Sequence, residues 1–159
     1  MIYGAINEKT HNMSKDLEML FESIGNKQKE YNWLITECVS YPHNDEIARL
    51  LDSKYCWLTG EQLTELVKKE NFQWIWAVIS GFKKNVELQD VLKYDLPFAD
   101  GYGGFWKKPL TIQHPLAHIE IVPWDGYLTL LFSDDKMIVE EYLQNIKNTI
   151  KLEEYIERD

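Results

Sequence analysis

Two imidazoles and a carboxylate fall close together at His114-Pro115-Leu116-Ala117-His118-Ile119-Glu120. This is the only stretch of the chain where two histidines and a carboxylate cluster. On a strand, His118 and Glu120 point the same way, and His114 could fold back across the bend at Pro115 to complete the His, His, carboxylate set of some catalytic zinc sites. The spacing is permissive. A helical His-Glu-x-x-His would be far more specific, and Pro115 with the β pattern that follows excludes it. The competing reading is a solvated strand face whose histidines are hydrogen-bonded locally, and it carries more weight.

Nucleophilic chemistry would need Cys38 or Cys56 beside a histidine and an orienting acid. Both cysteines sit in apolar, β-like segments, which favours buried, inert thiols. Gly101-Tyr102-Gly103-Gly104 is glycine-rich but lacks the GxxxxGK[ST] spacing of a phosphate cradle. No motif calls for a cofactor. The aromatic set Tyr102, Phe105, Trp106, Trp124 and Tyr127 is different in kind, because Trp and Tyr are enriched where interfaces bury their anchors. These residues lie in a Gly-rich stretch and at a hairpin tip, outside any periodic core stripe. They are candidate binding residues for a protein or a ligand, including a small molecule held under the 95–110 segment together with Phe98. They could equally plug a core.

Local elements must position these residues. Ile2 to Ile6 reads as a strand, followed by a helix in which Leu17, Leu20, Phe21 and Ile24 form the stripe, Ser14 is the cap and Gly25 takes the C′ position. Tyr31 to Val39 is rich in β-formers. Asn44-Asp45-Glu46 opens a helix that buries Ile47, Leu50 and Leu51, and Tyr55 to Leu58 is a brief strand. Thr59-Gly60-Glu61-Gln62 has the form of a capping box, with Leu63, Leu66 and Val67 behind it. Phe72 to Ile79 is apolar on both faces and is the candidate for the centre of the sheet. A short helix is expected between Val86 and Tyr94. From Asp95 to Leu110 the pattern breaks down, and loops of that length are often functional.

Asp125-Gly126 then separates two apolar runs as a two-residue type I′ turn does. That turn would pair Trp124 with Tyr127, Val122 with Thr129, Glu120 with Leu131 and His118 with Ser133 on a mixed face. Ile119, Ile121, Leu128 and Leu130 would lie on a core face. Ser133 is expected to cap a final helix with Asp134 and Asp135 in its first turn and Val139, Tyr142, Leu143, Ile146 and Ile150 along its stripe. The sum is one domain over residues 1–159, an α+β or mixed α/β fold. It has a single sheet of about five strands, a late antiparallel hairpin, and helices packed on it.

Composition narrows the function. The 159 residues carry 26 acidic against 17 basic side chains, a formal charge of −9 that opposes approach to phosphate backbones, so nucleic acid is not an expected partner. The only guanidinium groups are those of Arg49 and Arg158, too few for an arginine cluster. A basic protein partner suits this charge better. No apolar run approaches the roughly 20 residues needed to span a bilayer, so no membrane association is expected. With two unpaired-looking cysteines and a strand-like start, a cytoplasmic location is the simplest expectation.

Leu58-Thr59-Gly60-Glu61-Gln62-Leu63, Trp74-Ile75-Trp76-Ala77-Val78-Ile79-Ser80-Gly81-Phe82 and Glu120-Ile121-Val122-Pro123-Trp124-Asp125 stand in a small acidic chain. In that combination the sequence resembles small proteins of Gram-positive bacteria and is similar in style to bacterial toxin-immunity proteins. The resemblance implies a non-enzymatic protein whose acidic surface engages a basic toxin domain, and it carries no residue-by-residue roles.

Overall fold

The computed structural model describes residues 1–9 and 15–158. Its strands are β1 (Tyr3–Glu8), β2 (Tyr31–Ser40), β3 (Tyr55–Thr59), β4 (Trp74–Lys83), β5 (Ile119–Trp124), β6 (Leu128–Ser133) and β7 (Thr149–Lys151). The helices are α1 (Asp16–Ser23), α2 (Asp45–Leu51), α3 (Gly60–Lys69), α4 (Leu88–Val91), α5 (Lys136–Asn145) and α6 (Leu152–Arg158). The strands form one antiparallel sheet in the order β3-β2-β4-β5-β6-β1-β7. The class is α+β, with seven strands rather than about five. The expected cap at Ser14 lies outside the described residues.

Short-range chemistry starts and stops these elements. The Thr59 hydroxyl accepts from the Gln62 N–H at 3.0 Å and the Gln62 side chain accepts from the Thr59 N–H at 2.9 Å, a complete capping box. Asn44 caps α2 by accepting from Ile47 N–H at 3.0 Å. Gly25 follows α1 at φ +65°, and the Asn26 N–H reaches back to Phe21 O, which closes the helix as C′ glycines do.

Four helices, α1, α2, α3 and α5, cover one face of the sheet. They bury Leu20, Phe21, Ile47, Leu63, Leu66 and Tyr142 against Trp33, Ile35, Ile79, Ile121 and Leu131. Trp33 is fully buried and donates its indole N–H to Gln28 O at 2.9 Å. A Cβ on Gly81 would sit 3.0 Å from its ring and 2.3 Å from Ile119 Cγ2, so the ring's place depends on that glycine. The opposite, outer face carries Leu34, Val78, Phe82, Val122, Leu128, Leu130 and Phe132. It is covered by α6, α4 and the irregular segment between α4 and β5.

Three expectations are corrected. Ile150 belongs to β7 rather than to the last helix, and α6 is a separate element. The cap of α5 is Asp135, whose side chain accepts from Met137 N–H, while the Ser133 hydroxyl donates to His118 O and accepts from Asp135 N–H, so Asp134 and Asp135 precede the first turn. The middle strand is β5, with β4 beside it, and Trp76 on β4 is half-buried instead of covered on both sides.

The hairpin departs most instructively. Asp125 and Gly126 do adopt positive φ (50° and 77°), and Tyr127 N–H closes the turn on Trp124 O. Tyr127 is nevertheless an extra residue, because the ladder pairs Trp124 with Leu128, Val122 with Leu130, Ile121 with Leu131 and Glu120 with Phe132. Tyr127 O instead accepts from Lys9 N–H at 2.9 Å, just past the end of β1. The one-residue offset reverses the faces of β6 relative to β5. Trp124 and Glu120 therefore share the outer face with Leu128, Leu130 and Phe132, where Glu120 is fully covered and Trp124 half-covered, and the expected mixed face does not form.

Candidate functional site

The reversed parity brings most of the candidate residues onto the outer face, beneath and along the segment that joins α4 to β5. Glu120 is fully buried there. Its Oε2 accepts from Gln113 N–H at 3.0 Å, while among the described residues Oε1 and the hydroxyl of its cross-strand neighbour Ser80 have no hydrogen-bond partner. Burial pushes the carboxyl up to about 8, against the lowering effect of the Gln113 bond, so the group is mostly neutral at pH 7. Burial raises the nearby Tyr102 phenol too, with the Glu120 charge as a second cause.

Gln113 fastens the covering segment. Its side-chain amide exchanges two hydrogen bonds with the Phe98 backbone (3.0 and 2.9 Å), while its own N–H is held by Glu120. His114 is a second fastener. Its Nδ1 accepts from Leu116 N–H at 3.1 Å, which leaves Nε2–H to donate to Val91 O at 2.9 Å, and its ring packs edge-on against Phe82 and Tyr94. Burial holds this imidazole below its ordinary value.

His118 is oriented differently, with Nδ1 on Asp134 Oδ2 at 2.5 Å near the surface. The sequence trio His114, His118 and Glu120 is thus split among three environments. Among the described residues no group of three or more His, Cys, Asp or Glu side chains gathers as a metal set. Cys38 and Cys56 are both shielded, and burial pushes each thiol up to about 11, so neither is a thiolate at neutral pH.

The aromatic candidates do come together. Trp124 contacts Trp76 (4.7 Å between centroids), Trp106 (5.2 Å) and Phe105 (6.0 Å), all edge to face. Phe105 touches Tyr102 at 4.7 Å, Tyr102 touches Phe98 at 5.3 Å, and Trp106 reaches Tyr155 at 5.9 Å. Phe105 is 1% exposed and its ring also packs on Phe132, so it occupies the space under the 95–110 segment and belongs to the core. Tyr102, Trp106 and Trp124 are half-buried, and Tyr127 at the hairpin tip is 42% exposed.

Sequence reasoning missed two members of this surface. Val39 and Trp76 are register partners on β2 and β4, which puts them on one face beside Trp124; Val39 is exposed and Trp76 half-buried. The bulge between Thr36 and Val39, where Glu37 has φ +50°, sets that register. The Trp74-x-Trp76 alternation carried a faint signal, since one indole is buried and the other reaches the edge of the cover. The result is an aromatic strip that crosses β2, β4 and β5 at the turn end of the outer face and continues through Phe98, Tyr102 and Trp106.

Compared with models of known protein families, with curated proteins and with solved structures, the chain matches none.

Proposed function

We propose that this chain is a non-enzymatic binding protein that holds a basic protein partner against the aromatic strip of its outer face, as immunity proteins hold toxin domains. The observation that carries this reading is the strip itself: Val39, Trp76, Trp124, Phe98, Tyr102 and Trp106 form one run of rings and apolar side chains that is only partly shielded. Large rigid rings that are half-buried before binding lose little conformational freedom when a partner covers them. The formal charge of −9 favours a cationic partner and speeds the encounter at low salt. The chemistry-bearing side chains beneath the covering segment are committed to holding it: Gln113 and His114 bond backbone groups, and Glu120 is enclosed.

Affinity capture from extract of the native cell tests the reading. The wild-type chain should retain a basic protein at low salt and release it as salt screens the charges. The double variant Val39→Ala/Phe98→Ala changes two exposed side chains of the strip and should retain about tenfold less, in line with the loss of one or two interface anchors. Equal retention by both chains, or none by the wild type, contradicts the proposal.

A further inference from the structure

A second surface lies on the opposite face of the sheet and stands independently of the aromatic strip. Helix α2 is short and packs on β2 and β3, while α3 packs beside it on the same face of the same strands, which leaves a shallow groove between the two helices. Its floor is apolar, formed by Ile47, Leu58 and Leu66, with Leu50 standing 39% exposed on one wall. Its rim is acidic. Glu46 projects from α2, and Glu61 and Glu65, one helical turn apart on α3, project from the other side. Among the described residues Lys69 is the only cation lining the groove, and Glu61 is shared with Lys84 at 2.9 Å, an exposed pair that competes only weakly. The open volume is about 380 Å³, room for a few aliphatic side chains.

We propose that this groove docks a basic amphipathic helix from a partner protein, with leucine-like side chains on the floor and lysines or arginines against Glu46, Glu61 and Glu65. The charge pattern selects this occupant. An acidic or neutral helix would lay its flanking side chains against carboxylates without compensation, whereas a cationic one pairs with both walls while its apolar stripe covers Leu50 and Leu58. The floor excludes a purely polar cation-rich segment from using the full site, since the buried apolar area supplies affinity that rim charges alone do not.

The test uses a synthetic peptide with leucines at i, i+3, i+4 and i+7 and lysines elsewhere, titrated against the whole chain by fluorescence anisotropy. The wild type should bind it saturably. Glu46→Lys/Glu65→Lys should weaken binding about tenfold or more, and a serine-for-leucine peptide of the same charge should lose a similar factor. Asp100→Lys, an exposed acid on the cover of the other face, should change binding only slightly. Urea denaturation confirms that each variant folds. No saturable binding overturns the groove. So does equal loss in Asp100→Lys and Glu46→Lys/Glu65→Lys, which would mean attraction to overall charge alone. Neither result bears on the aromatic strip, which Val39→Ala/Phe98→Ala tests separately.

Discussion

Glu120 is the side chain at which burial and charge oppose each other most directly. It sits on the central strand with no exposure and, among the described residues, a single hydrogen bond to one oxygen. Its folded pKa is raised to about 8 from an ordinary value of 4.5. The folded state therefore holds a proton that the unfolded chain has released, and the linkage has a definite sign. Stability contributed by this group is complete below pH about 4.5 and is lost as pH rises through about 8. Glu120→Gln keeps an acceptor for Gln113 N–H and removes the ionisation. Urea melts of both proteins from pH 4 to 9 should show the variant gaining on the wild type as pH rises, by a few kcal/mol over the window. His114, whose lowered pKa makes stability fall toward acid, contributes equally to both proteins and drops out of the difference. A difference that stays flat with pH would mean that Glu120 is better solvated than its burial implies. The role of this residue was half-legible in the sequence: the pattern put Glu120 on the same side as Trp124, but not that this side is covered.

At the scale of elements, the hairpin shows what sequence pattern settles and what it leaves open. The Asp125-Gly126 pair announces positive φ at both positions, and both have it. Gly126→Val should therefore cost about 1–3 kcal/mol in urea denaturation, because a β-branched residue is strained at φ +77° and its Cβ would lie 2.9 Å from Gln73 Nε2, which donates to Gly126 O. A neutral substitution would refute the turn geometry. The offset at Tyr127 could not be read locally, since the group that takes its carbonyl is Lys9, far away in the chain. The caps at Asn44, Thr59 and Gly25 were legible because each is completed within a few residues. Strand β7 was not. It is a three-residue edge strand, and Ile150 also fits the helical spacing set by Val139, Tyr142 and Ile146.

The whole molecule is a seven-stranded sheet with unlike faces, one under four helices and one under a fastened irregular segment and α6. The succession of expected elements foretold the class of fold but not the strand order, because the pairings β1 with β6 and β4 with β5 join distant segments. The irregular cover has a direct consequence for function: it stops short of Trp76 and Val39, which leaves the aromatic strip at its margin. No helix among the described residues is long and apolar enough to cross a membrane. Whether the strip receives a partner is the central claim, and photo-crosslinking in the native cell tests it most directly. A benzophenone side chain is placed at Phe98, 39% exposed on the strip, and separately at Met137, 55% exposed on α5 over the other face. The account predicts that position 98 crosslinks to one discrete basic protein and that position 137 does not. Absence of a discrete product at 98, or the same product from both positions, would contradict it.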